Sequence, residues 1–143
     1  MNGSYQQWIA AFTAGFVATL VFHQGVIGVF WLAGLVPAAP WNMAPVAPLD
    51  IPQVISLAFW GGVWGLPIWA LMRRWQALSR WLVAVVAGAV GPTLVAMLVV
   101  FPLKGIPVDA SRVVGGLIVN GAWGFGVACW MAFATRQLGA SVK

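Results

Sequence analysis

Four long apolar stretches alternate with short polar or proline-rich segments along the chain: residues 8–36, 53–72, 81–103 and 113–135. None of them contains Asp, Glu, Lys or Arg. A helix needs about 20 residues to cross a hydrocarbon core roughly 30 Å thick, and every stretch meets that length. The first is longer, which predicts a tilted helix or one that includes interfacial residues at its ends. A cleaved signal peptide does not fit it, because no basic residue precedes the run and the run exceeds a signal core of roughly 7–15 residues. The pattern predicts an all-α polytopic membrane protein. Residues 1–143 form one transmembrane domain of four helices.

The connecting segments differ in kind. Residues 76–80 form a short turn, which makes the second and third helices antiparallel neighbours. Residues 37–52 carry Pro37, Pro40, Pro45, Pro48 and Pro52, with Trp41 and Met43 between them. Repeated proline removes backbone donors and favours extended chain. The expectation for this outer loop is neither helix nor ladder strand. It is also too apolar to be a freely solvated linker, so it lies on the outer interface or covers the mouth of the bundle. Its two readings are a stiff connector and a surface for docking a partner.

The two halves resemble each other. A shift of 59 residues carries Asp50 onto Asp109, Val54 onto Val113, Gly62 onto Gly121, Trp64 onto Trp123, Gly65 onto Gly124 and Met72 onto Met131. A shift of 74 carries Thr19-Leu20-Val21 onto Thr93-Leu94-Val95. The expectation is a duplicated two-helix unit, with pseudo-repeats at 8–72 and 81–135 related about the membrane normal. Asp50 and Asp109 suit helix N-caps, where a carboxylate accepts from free first-turn amides; ion ligands or proton carriers are the alternative. Gly61-x-x-x-Gly65 supplies a small-residue face of the kind that packs membrane helices.

Composition strengthens the membrane reading. About 62% of residues are hydrophobic and 6% charged, against roughly 25% charged in a soluble domain. The net charge of +5 does not point to nucleic acid, because the basic residues are scattered and form no stripe. They divide by side instead. Arg73, Arg74, Arg80, Arg136 and Lys143 fall on one side of a four-span chain, and Lys104 and Arg112 on the other. The positive-inside rule then places both termini in the cytoplasm. Cys129 is the single cysteine and reads as a small apolar helix residue.

Little in the chain can carry chemistry. Acid–base catalysis needs positioned carboxylates or histidines, and the sequence offers one histidine and two aspartates already suited to capping. No catalytic set and no metal-ligand spacing is visible, so no enzymatic activity is expected. The exception is Phe22-His23-Gln24-Gly25, inside the first apolar run. At about 1.5 Å per residue, His23 sits roughly 22 Å beyond Trp8, in the outer half of the hydrocarbon. Asn120, on the last helix, falls at a similar depth, with Ser56, Trp64 and Trp123 within a few turns. Polar side chains here must face inward and pair. Three readings of this candidate site compete. It is a structural hydrogen-bonded cluster, a substrate, proton or ion site in a small transporter or channel, or an axial ligand to haem or a chlorophyll-type pigment through His23.

Phe22-His23-Gln24-Gly25, a proline-rich loop with Trp41-Asn42-Met43, and the run Phe59-Trp60-Gly61-Gly62-Val63-Trp64-Gly65 together resemble a group of small, uncharacterised bacterial inner-membrane proteins. The resemblance covers most of the chain and implies architecture and location, with no functional residues attached. The leading expectation is a compact four-helix protein of the bacterial inner membrane. It acts by self-association or as an accessory subunit of a larger membrane complex, in contact with the lipid bilayer and with no nucleic acid.

Overall fold

The computed structural model describes residues 2–140, with side chains described over residues 5–137. Met1 and Lys143, both assigned to the cytoplasmic side by the charge pattern, lie outside the described residues. The protein is an all-α polytopic membrane protein with four helices long and apolar enough to cross a bilayer, over Tyr5–Leu32, Gln53–Met72, Ala77–Leu103 and Ala110–Gln137. These are helices 1 to 4. Helix 1 is built from Asn2–Ala18, a π turn at Thr19–His23 and a further α-helical piece, Gln24–Leu32. Helix 3 likewise contains Ala77–Val95, a π turn at Ala96–Val100 and a last turn at Phe101–Leu103.

Helix boundaries depart from the apolar runs for local reasons. Helix 1 stops at Leu32 instead of residue 36, because Gly34 adopts a left-handed φ of 72°. There the Gly34 amide donates to the Trp31 carbonyl at 3.0 Å and the Leu35 amide to the Phe30 carbonyl at 2.9 Å. This is a glycine-terminated helix end that satisfies the last carbonyls. Gly105 ends helix 3 in the same way, with a φ of 65° and the Ile106 amide donating to Phe101 at 2.9 Å. Helices 3 and 4 begin before residues 81 and 113, at Ala77 and Ala110. Backbone hydrogen bonding continues into the polar flanks that an apolar run leaves out.

The two aspartates have different fates. Asp109 caps helix 4, its Oδ1 accepting from the Arg112 amide at 2.9 Å. The cap expected at Asp50 is not formed. Helix 2 starts after Pro52 with no side-chain cap, and Asp50 sits at φ 50° in the turn joining two short antiparallel strands, Pro45–Val46 and Ile51–Pro52. Loop carbonyls take the place of the carboxylate. The Gln53 amide donates to Ala44 at 2.9 Å and the Val54 amide to Asn42 at 3.0 Å. The strand pair corrects the expectation that this loop holds no ladder, although the proline pair at its open end, Pro45 opposite Pro52, keeps it two residues long.

The helices form a ring in which each touches its sequence neighbours and helix 4 closes back on helix 1. The tightest crossings are backbone to backbone. Gly65 on helix 2 lies so close to Ala11 and Gly15 of helix 1 that an added Cβ would meet the Ala11 carbonyl oxygen. Gly124 on helix 4 meets the Ala84 carbonyl and the Gly88 Cα of helix 3 in the same manner. Lipid supplies no hydrophobic force between helices, so these close van der Waals contacts must hold them together. Larger side chains then fill the bundle, with Met72, Val127 and Met131 fully buried. The Trp69 indole N–H is buried with no hydrogen-bond partner among the described residues.

Two outcomes follow from this packing and capping. Gly65→Ala or Gly124→Ala should lower stability by about 1–3 kcal/mol through overpacking, whereas Gly25→Ala, which faces open space, should be neutral or mildly stabilising. Unfolding titrations in mixed micelles measure the difference. At helix 4, the Arg112 amide, and with it the neighbouring guanidinium, holds the Asp109 carboxyl below its ordinary value. A depressed folded value means the cap stabilises at pH above the ordinary carboxylate range, and that contribution is lost as pH falls through the depressed value. Protection factors of the amides at the start of helix 4, taken relative to the intrinsic exchange rate at each pH, should therefore fall on acidification, and the fall should be absent in Asp109→Ala.

Candidate functional site

Helix 1 carries the site because of its π turn. The Gln24 amide bonds to the Thr19 and Val21 carbonyls, not to Leu20 four residues back as an α-helix requires. The Leu20 carbonyl is instead used outside the helix, accepting from the Trp41 indole Nε1 at 2.9 Å. Trp41 is held a second time, its backbone amide donating to Gln24 Oε1 at 2.7 Å. Gln24 is 4% exposed, and Gly28 one turn on leaves room for Pro40 and the Trp41 ring. These contacts hold Trp41 at φ 51°, a left-handed conformation that costs a non-glycine residue about 1–2 kcal/mol. They also fold the proline loop over helix 1.

The loop then reaches helix 2. Asn42 Oδ1 accepts from the Ala44 amide at 2.9 Å, and Asn42 Nδ2 donates to Gln53 Oε1 at 2.9 Å. Between helix 1, helix 2 and the loop remains a cleft of about 160 Å³, walled by Ile27, Val54 and Leu57 and holding four polar side chains, His23, Gln24, Asn42 and Gln53. The volume is an order of magnitude above the roughly 10–15 Å³ that one water requires. No charged residue lines it.

Hydrogen-bond geometry fixes the orientation of these groups. Because Gln24 Oε1 takes the Trp41 amide, its Nε2 is the atom beside His23 Nδ1, at 3.4 Å. Assigned from this network, Nδ1 is the acceptor and the proton of the neutral imidazole sits on Nε2.

The other sequence-derived candidates do not join this cluster. Asn120 Nδ2 donates to Thr93 Oγ1 at 2.9 Å, across helices 4 and 3. Trp123 Nε1 donates to the Gly15 carbonyl at 2.9 Å, tying helix 4 to helix 1. Trp64 packs its ring against Gly91 on helix 3, and Ser56 is half-buried on helix 2 outside the cleft lining. Counting residues gives depth along a helix but not the face a side chain occupies, so groups at equal depth separate. Asn42 and Gln53 were not visible as site residues. Their one signal was that they are polar side chains at the edges of an apolar, proline-rich segment. Among the described residues no three His, Cys, Asp or Glu come together as a metal site.

No protein-family model, curated protein or solved structure matches the chain.

Gln24→Leu removes the acceptor for the Trp41 amide and the donor to His23. Loss of one such bond is worth about 1 kcal/mol, so amide exchange across residues 33–52 should speed up roughly fivefold while the four helices stay protected. Exchange mass spectrometry in nanodiscs reads this directly.

Proposed function

We propose that this protein is a small subunit of the bacterial inner membrane that works by association, as an oligomer or as an accessory part of a larger membrane complex, and that it performs no catalysis. The observation that carries this reading is a bundle interior occupied with itself. Helices cross at backbone contact around Gly15, Gly65, Gly88 and Gly124. Interior polar groups are largely taken up by the bundle. Trp123 donates to the Gly15 carbonyl between helices 4 and 1 and Asn120 to Thr93 between helices 4 and 3, while Thr19 Oγ1 bonds back to the Gly15 carbonyl within helix 1. What remains for action is the outer surface of the helices and the loop end.

A transport path through His23, Gln24 and Asn120 gains little support, because Asn120 is engaged between helices 3 and 4 while His23 and Gln24 serve the loop. A haem or pigment ligand gains less. The chain has a single histidine to offer as an axial ligand, and the cleft beside it, about 160 Å³, is smaller than the roughly 300–1,000 Å³ that encloses even drug-sized ligands.

Location and orientation rest on charge. Arg73, Arg74, Arg80 and Arg136 lie at the end of the bundle shared by Trp8, whose ring receives the Arg73 guanidinium at 5.3 Å from its centroid. Tryptophan belongs to either interface, and the basic residues beside this one support reading it as the cytoplasmic boundary. The similar glycine contacts in the two hairpins, Gly65 on Ala11 and Gly15, Gly124 on Ala84 and Gly88, support descent from a duplicated two-helix unit, although on the first helix of each hairpin they fall one residue away from the 74-residue shift.

Purification in mild detergent after crosslinking in the native membrane should recover a second copy or another membrane protein. A crosslinked product of monomer mass alone, together with solute flux in reconstituted liposomes, would sink the reading. For orientation, in a Cys129→Ala background, an impermeant maleimide should label Ala44→Cys and Ala110→Cys in spheroplasts and reach Ala77→Cys only after permeabilisation.

A further inference from the structure

The four polar side chains of the outer cleft share a property that none has alone. Each of their acceptor atoms already takes one hydrogen bond. Gln24 Oε1 takes the Trp41 amide, His23 Nδ1 faces Gln24 Nε2, Asn42 Oδ1 takes the Ala44 amide and Gln53 Oε1 takes Asn42 Nδ2. Their unspent capacity is then mostly N–H: the Nε2 proton of His23, one further amide hydrogen each on Gln24 and Asn42, and both on Gln53, against a single remaining lone pair on each amide oxygen. Among the described residues no protein acceptor faces these hydrogens.

We infer that this cleft is a binding site for an uncharged, carbonyl-bearing amphiphile of the membrane, gripped at its carbonyl oxygen by N–H donors from helix 1, helix 2 and the loop. A ligand that brings only donors would compete for the second lone pairs of oxygens already engaged and would leave these N–H groups unpaired. An anion would satisfy the donors but would be desolvated with no compensating cation, since no Lys or Arg lines the cleft. A carbonyl oxygen needs donors and no counter-charge. Ile27, Val54 and Leu57 suit the apolar atoms next to such a carbonyl. The volume of about 160 Å³ accepts a head, and the unsealed side lets a chain run out. Two membrane sources offer this chemistry, the ester of a glycerolipid and the ring of a quinone. The site does not depend on whether the protein acts as an oligomer or an accessory subunit.

The chain has one histidine, so selectively labelled protein gives a single imidazole signal by ¹⁵N NMR. Three nanodisc preparations separate the sources: ether-linked phosphatidylcholine, which has no carbonyl, the ester-linked equivalent, and the ether lipid with decylubiquinone. The His23 Nε2–H signal should shift and exchange more slowly when a carbonyl is supplied. A response in the ester lipid names the glycerolipid, and one that saturates only with decylubiquinone names the quinone. Gln53→Glu keeps an acceptor for Asn42 but turns the free donors into acceptors, so it should weaken apparent affinity about tenfold or more. Leu57→Trp should block the response by filling the cleft while leaving every donor in place. Unchanged amide protection over residues 33–52 confirms that each variant is folded. An identical signal in all three membranes would overturn the inference. So would a response to sodium acetate alone, or an undiminished response in a folded Gln53→Glu.

Discussion

A carbonyl oxygen inside a bilayer has no water to turn to, and leaving it without a donor costs several kcal/mol. Helix 1 creates that situation at Leu20, where the π turn diverts the Gln24 amide to Thr19 and Val21. The missing donor is the Trp41 indole, 21 residues away in sequence. Much of the outer end follows from this one bond. Trp41 brings the proline loop back across helix 1, its amide finds Gln24, and the next residues deliver the Asn42 and Ala44 carbonyls to the bare N-terminus of helix 2. One irregularity in a helix thus positions a loop, and the loop completes a second helix.

Elsewhere the bundle depends on residues with almost no side chain. Gly15 is the meeting point of three helices. Gly61 and Gly65 press on it from helix 2, and its carbonyl takes both Thr19 Oγ1 and the Trp123 indole. Any side chain at that position would push helix 2 away and with it the contact on which the first hairpin rests. The second hairpin repeats the solution at Gly88 and Gly124. The tryptophans Trp64 and Trp123 each reach across to the opposite hairpin, onto Gly91 and Gly15 respectively.

What the sequence disclosed was what is local. The four spans, the small-residue face at Gly61 and Gly65 and the Asp109 cap each depend on neighbours within a turn or two, and each was readable. The Asp50 cap followed the same logic and failed, because carbonyls of a returning loop reached helix 2 first. Nothing in the periodicity around Asn42 reveals that it will lie beside Gln53. That proximity depends on a released carbonyl at Leu20, which no residue pattern announces. His23 and Gln24 stood out because polar atoms are rare in such a run, yet their partners were assigned by depth, and depth omits the direction in which a side chain points. Asn120 faces Thr93 for that reason.

The Trp123 bond to Gly15 also orders events in time. A ribosome delivers helices 1 and 2 first, and their glycine crossing needs nothing that comes later. Helices 3 and 4 close on each other by an equally self-sufficient contact. The clasp between hairpins on the helix 1 side must wait, since its donor sits on helix 4, which follows the other three in the chain. Until then the Gly15 carbonyl accepts hydrogen bonds only from within helix 1. The contacts are those of two self-sufficient halves, with the indole of Trp123 as the latch between them.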